Sequence, residues 1–135
     1  MKIGIEEIIH CAHKLKMKDK NHPCGRLHGH SYRVIVEIEG DQDNHSVTNN
    51  TDMLVEFGDL KRAIRVYDHQ YLNNITLLGK KILKNPTVEN FAKWILHDIC
   101  MSVVNKYMTV KVRIYETEDC WAEVIRKAKF PLMDK

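Results

Sequence analysis

The chain has 135 residues, 44% hydrophobic and 29% charged, enough for one domain spanning 1–135 with its own core and too apolar for a disordered segment. A formal charge of +3 suits an anionic small substrate as well as nucleic acid, but no basic motif or aromatic platform points to nucleic acid. No apolar run reaches membrane-spanning length, Glu6 and Glu7 interrupt what would be a signal peptide, and Cys11, Cys24, Cys100 and Cys120 are irregularly spread, so a reduced, cytoplasmic protein without membrane insertion is expected.

Residues 3–10 mix apolar and acidic side chains and predict an edge-like first strand. Lys14 to Pro23 is polar, ends in proline and reads as a loop. In Ser31–Glu39, Tyr32, Val34, Val36 and Ile38 alternate with Arg33, Ile35, Glu37 and Glu39, which predicts a strand with one buried face. Gly40–Asp52 is a long turn-rich connection that includes His45. Met53–Phe57 is expected to be a short strand, and Asp59 to cap a helix carrying Leu60, Ala63, Ile64 and Tyr67 that ends between Asp68 and Tyr71. The strongest helix follows Pro86. Thr87 can cap it, Glu89 sits in its first turn, and Val88, Phe91, Ala92, Ile95, Leu96, Ile99 and Val103 form an apolar stripe. Thr109–Glu116 alternates again, and Cys120–Ala128 is expected to be the last strand. This order predicts an α+β domain, an antiparallel sheet with two helices on one face, whose exposed edges invite self-association.

The chemistry concentrates in CGRLHGHSY, Cys24 to Tyr32. His28 and His30 are two apart at a strand entry, so they point the same way with only Gly29 between them. His13, at the end of the first strand, can supply a third imidazole, and three histidines with an open fourth position make a catalytic zinc arrangement. His22 is an alternative third ligand; His10 and His97 read as structural or surface residues. Cys24 is either a further ligand or an unligated thiol beside the metal and Arg26 that takes a proton. Arg26 itself has no assigned role. Asp68–His69 is either a helix terminus that welcomes a histidine or an acid–base pair. Against the second reading, sequence neighbours on a helix do not face each other, so the helix end would have to unwind. Glu116, at a strand end, is either plain surface or a receptor for the paired N–H groups of an amidine-like heterocycle.

Six short motifs occur in order: Ala12–His13; Cys24 to His30 (C-x3-HGH); MLVEFGDLK, Met53 to Lys61; DHQYLN, Asp68 to Asn73; PTVEN, Pro86 to Asn90; and YET, Tyr115 to Thr117. Together they resemble the 6-pyruvoyltetrahydropterin and 6-carboxytetrahydropterin synthase superfamily across nearly the whole chain, and the short gap before HGH is similar to its queuosine-pathway branch. The resemblance implies the tunnelling fold, commonly a homohexamer built as a dimer of trimers. It also implies Zn2+ on His13, His28 and His30, Cys24 as a catalytic base, Asp68 and His69 as a catalytic pair contributed across a subunit interface, and Glu116 as the anchor of a pterin ring. The implied substrate is 7,8-dihydroneopterin triphosphate. The implied products are 6-carboxy-5,6,7,8-tetrahydropterin, acetaldehyde and triphosphate, with retention of a three-carbon side chain, or pterin binding without turnover, as the alternatives. The chain departs from the family pattern at Cys11, at Glu56 where aspartate is frequent, and in the first-strand stretch IIHCAH, which lacks the common phenylalanine.

Overall fold

The computed structural model describes residues 1–41 and 52–129. His45 and all but the ends of the Gly40–Asp52 connection lie outside the described residues.

Strands β1 (Lys2–His13) and β2 (His28–Glu39) are twelve residues each and pair antiparallel along their full length, from Lys2 opposite Glu39 to His13 opposite His28. The alternation in β2 is read out as predicted. Tyr32, Val34, Val36 and Ile38 are fully buried, and so are Val110, Val112 and Ile114 of β6 (Thr109–Tyr115), which pairs with β2 on its other side. Strand β7 (Trp121–Arg126), slightly shorter than expected, closes that edge. The buried face is covered by helices α1 (Phe57–Arg65), which lies on β1, and α2 (Val88–Ser102), which lies on β6 and β7. The Thr87 side chain caps α2 by accepting from the Asn90 N–H at 3.1 Å. Phe91, Ala92, Ile95 and Ile99 of its stripe are buried, and Val88 and Leu96 pack at the margin. The other sheet face stays open among the described residues. There Lys111–Glu37, Arg113–Glu123 and Arg33–Glu6 pair across strands at 2.7–2.9 Å, as half-solvated antiparallel strands allow.

Three expectations need correction. Residues 53–56 form no strand, and Leu54 and Val55 lie in a bend. Leu54 and Val55 are buried, so the apolar run fills core space without a neighbouring strand to pair with. Helix α1 begins at Phe57 with Glu56 at its N-cap, and Asp59 pairs with Arg62 instead of capping. The helix ends at Arg65, earlier than its apolar spacing implied, and residues 66–69 form a turn. That turn leads into β3 (Gln70–Tyr71), which adds a two-residue parallel pairing at Cys11 and Ala12 to the far side of β1. β1 is therefore an edge for most of its length, as expected, but covered at its functional end.

A hairpin of β4 (Thr76–Leu77) and β5 (Lys80–Lys81) was not anticipated. Its turn holds Leu78 and Gly79 at φ +52° and +78°. Glycine suits that geometry, but leucine at the first position hides the usual hairpin signature. Beyond the sheet, Tyr67 joins the helices: its hydroxyl donates to Asp98 Oδ2 and accepts from Trp94 Nε1, each at 2.7 Å. No helix is long and apolar enough to cross a membrane among the described residues.

Candidate metal centre

The β1–β2 register builds the site. Directly opposed residues of an antiparallel pair point to the same side. His13 opposite His28, and His30 opposite Cys11, therefore place three imidazoles on the helix-covered face where β1 ends and β2 begins. Their ring centroids lie 4.5–5.0 Å apart, and one nitrogen from each falls within 4.8 Å of the others. Gly29 allows the strands to close here, since a Cβ at that position would come within 3.3 Å of the Cys11 carbonyl oxygen.

Outer hydrogen bonds decide which nitrogens face inward. His13 Nδ1 lies 2.8 Å from the Pro86 carbonyl, which can only accept, so this nitrogen carries the proton; the Tyr32 hydroxyl oxygen, 3.1 Å away, is a second acceptor. His28 Nδ1 donates to the Arg26 carbonyl at 2.7 Å. The two Nε2 atoms, left with lone pairs, approach to 2.9 Å. His30 Nε2 is buried with no hydrogen-bond partner. Burial pushes the His13 pKa below its ordinary value, and the neighbouring His28 and His30 push it the same way. Burial does the same to His30, against the opposing pull of Glu116. Protons are thus kept off nitrogens whose lone pairs converge. A cation satisfies all three, and backbone-tethered imidazoles are its usual holders. The donor set fits a metal.

The other predicted residues fall into two groups. Glu116, just past β6, holds Oε1 3.9 Å from His30 Nε2 at the rim of the triad. Cys24 sits half-buried in a single 3-10 turn, Pro23–Gly25. Its thiol is not among the converging donor atoms, which are all imidazole. His22, the alternative third ligand, is occupied elsewhere: its Nδ1 accepts from the Cys24 N–H at 3.1 Å. Arg26 gains a part through its backbone, by orienting His28.

Asp68 and His69 do pair, with Oδ2 and Nδ1 3.0 Å apart. The early end of α1 removes the helical objection, and His69 adopts φ +60°, which turns its ring back to its neighbour. The Asp68 carboxylate is held below its usual range, first by the His10 N–H that donates to Oδ1 at 2.8 Å and then by His69. Among the described residues, the hydrogen bonds and ion pair of Asp68 and His69 run to each other, to His10 and to Arg65, and none runs to the triad. His69 packs against His10, whose side chain alternates with the buried Cys11 and His13 and therefore lies on the open sheet face. A groove of about 570 Å3 is lined by His10, Ser31, His69 and Tyr71, and also by His30 of the triad. Residue spacing gave no reason to single out His10, Ser31, Tyr32 or the Pro86 carbonyl. Cys11 is inert filler in its immediate setting: its thiol donates to the Tyr67 carbonyl at 3.1 Å and is pushed up to about 12 by burial.

Comparison with known proteins agrees with this geometry. A protein of Archaeoglobus fulgidus provisionally named 6-carboxy-5,6,7,8-tetrahydropterin synthase is 35% identical over 130 residues, covering 93% of this chain and 96% of its own. A dihydroneopterin monophosphate aldolase of Pyrococcus furiosus is 26% identical over 117 residues, covering 84% and 87%. The structure of Caenorhabditis elegans 6-pyruvoyl tetrahydropterin synthase superposes with a TM-score of 0.72 at 21% identity over 94% of this chain and 96% of that one, so the fold is the tunnelling fold expected from the motifs. The 6-pyruvoyl tetrahydropterin synthase family model matches residues 2–127, a span that leaves no described strand or helix outside it, and the chain belongs to that family.

Proposed function

We propose that this chain is a zinc-dependent lyase that converts 7,8-dihydroneopterin triphosphate and water to 6-carboxy-5,6,7,8-tetrahydropterin, acetaldehyde and triphosphate, on the route to queuosine and related 7-deazapurines. The observation that carries the reading is the inward-facing histidine triad with its orphaned His30 Nε2. His13, His28 and His30 would hold the zinc, which when bound supplies Lewis-acid polarisation of the substrate's side-chain oxygens at an open position.

The protein's own groups do the rest. Glu116 accepts the paired N–H groups of the pterin and so fixes the ring relative to the triad. Cys24, outside the donor set, takes a proton from the substrate side chain as its thiolate. Asp68 keeps the proton on His69 Nδ1, leaving Nε2 to exchange protons with the substrate. The bonds of Asp68 and His69 run to each other and to His10 rather than to the triad, and the pair is read as serving the site of another copy in a homo-oligomer, proposed as a hexamer built from two trimers. The net charge of +3 is compatible with a triphosphate. Work in the cytoplasm agrees with the free cysteines.

The test is anaerobic incubation of the zinc-loaded protein with dihydroneopterin triphosphate, followed by product mass and acetaldehyde assay. Acetaldehyde with a carboxy-pterin supports the reading, whereas a pterin that keeps three side-chain carbons, or binding without turnover, overturns it. Cys24→Ala should keep one zinc per chain and lose turnover; loss of the metal would make Cys24 a ligand. A second reading, an aldolase acting on dihydroneopterin monophosphate, is favoured by the aldolase relative. Turnover of the monophosphate in preference to the triphosphate would select it.

A further inference from the structure

We infer that the side-chain pair His10–Ser31 is a positioning device that fixes the orientation of the His69 imidazole. This inference rests on the reading of His69 as an acid–base group.

The backbone and the side chain of His10 have separable tasks. Its main chain secures the path of the 68–69 turn: the His10 N–H donates to Asp68 Oδ1 at 2.8 Å, and the His10 carbonyl accepts from the His69 N–H at 2.6 Å. Any residue at position 10 other than proline can make these bonds. What the imidazole adds is directed at the His69 ring alone. The two rings meet edge to face, with centroids 5.8 Å apart and an interplanar angle of 63°, an arrangement aromatic rings favour.

The His10 ring is not itself free to turn. Its Nδ1 lies 2.9 Å from Ser31 Oγ, and Ser31 is its directly opposed partner in the β1–β2 ladder. Orientation is thus set in a chain, from the rigid ladder to Ser31, from Ser31 to His10, and from His10 to His69.

His69 needs that support. Its side chain is 76% exposed, and apart from His10 its ring is held by one carboxylate oxygen, Asp68 Oδ2 at 3.0 Å. A single contact of this kind leaves the ring able to swing about it. Acid–base transfer requires the imidazole nitrogen to be within hydrogen-bond reach and aligned when the substrate arrives. The edge of His10 closes off the swing, so the exposed ring of His69 is presented to the substrate in one pose.

The test uses the full-length, zinc-loaded protein with His10→Ala, His10→Asn, Ser31→Ala and His69→Ala, each assayed on dihydroneopterin triphosphate for kcat and KM, with zinc content and melting temperature as controls. His69→Ala should lose about 100-fold or more in kcat. His10→Ala should lose about tenfold in kcat with KM changed less than about twofold, with zinc and melting temperature retained. His10→Asn, whose amide can still bond Ser31 and present a flat edge, should recover most of that loss, and Ser31→Ala should fall between. Full kcat in His10→Ala beside an inactive His69→Ala would overturn the inference and leave the role of His69 standing. Full kcat in His69→Ala would overturn both. Zinc loss or a lowered melting temperature accounting for the His10→Ala defect, or no recovery in His10→Asn, would also overturn it.

Discussion

Replacing His30 by leucine should stabilise the metal-free protein and destabilise the zinc-loaded one relative to the natural sequence. The His30 ring packs against His13, His28 and Tyr32, with centroids 5.0, 5.0 and 5.5 Å away, and its Nε2 is buried without a partner. A buried polar atom left unsatisfied costs about 1–3 kcal/mol. Leucine keeps the packing at similar volume and removes the orphan. Little charge is lost, because burial holds the His30 pKa below its ordinary value and the ring is neutral at pH 7.5. Glu116, a quarter exposed, can hydrate once its neighbour is gone. Taking the low end, the gain is about 1 kcal/mol, or about 4 °C in melting temperature for a chain of this length. Zinc works the other way. At about 1,000 times its Kd it adds about 4 kcal/mol to a protein that binds it only when folded, and most of this disappears with one of three ligands. Thermal denaturation at pH 7.5 should therefore show the variant melting higher with chelator and lower with zinc. Equal melting of the natural protein in both conditions, or a variant less stable in chelator, would refute the reasoning that the triad is a frustrated cluster relieved by a cation.

Tyr32→Phe removes an acceptor from His13 Nδ1 while Pro86 remains; zinc affinity in a chelator competition should fall about tenfold, and an unchanged affinity would show that the Pro86 carbonyl alone orients the ring. Acid should weaken the chelator-treated protein. Burial holds the His13 and His30 pKa values below the ordinary histidine value of 6.5, so the folded state binds fewer protons than the unfolded one. Stability is full above pH 6.5 and is lost as pH falls through the lowered folded-state values; a denaturation midpoint that stays flat between pH 7.5 and 4.5 would contradict this. His69→Gly relieves a left-handed φ of +60° and should stabilise the protein by about 1 kcal/mol, partly offset by the greater chain entropy of glycine. It should also abolish turnover, and calorimetry beside the product assay reads both.

The sheet was legible because its signal is local. In β2 and β6 the buried residues alternate without interruption, and the N-cap of α2 announces itself in Thr87. The triad was legible for the same reason: histidines two apart at the entry of β2 must share a face, and the antiparallel partner of that entry is the end of β1. Met53–Phe57 was misread because apolar content marks burial, and only a neighbouring backbone makes burial a strand. The ends of α1 depended on tertiary bonds. Asp68 and His69 are drawn out of the helix by His10, 58 positions from Asp68, and no local pattern encodes that. His10 looked incidental because its main contacts with the Asp68–His69 turn run through its backbone, and the proton assignments on His13 and His28 depend on the Pro86 and Arg26 carbonyls, which side-chain identity does not reveal.

The unbroken pairing from Lys2–Glu39 to His13–His28 also makes the histidine cluster a gauge of strand alignment. A slip of one residue between β1 and β2, or the loss of one residue within β1, would send His13 to the opposite side of the sheet from His28 and His30. Zinc uptake during folding would then fail in any misaligned hairpin, however well its apolar residues were buried. A chain that binds the ion has thereby passed a check on the alignment of β1 with β2 at the end where His13 meets His28.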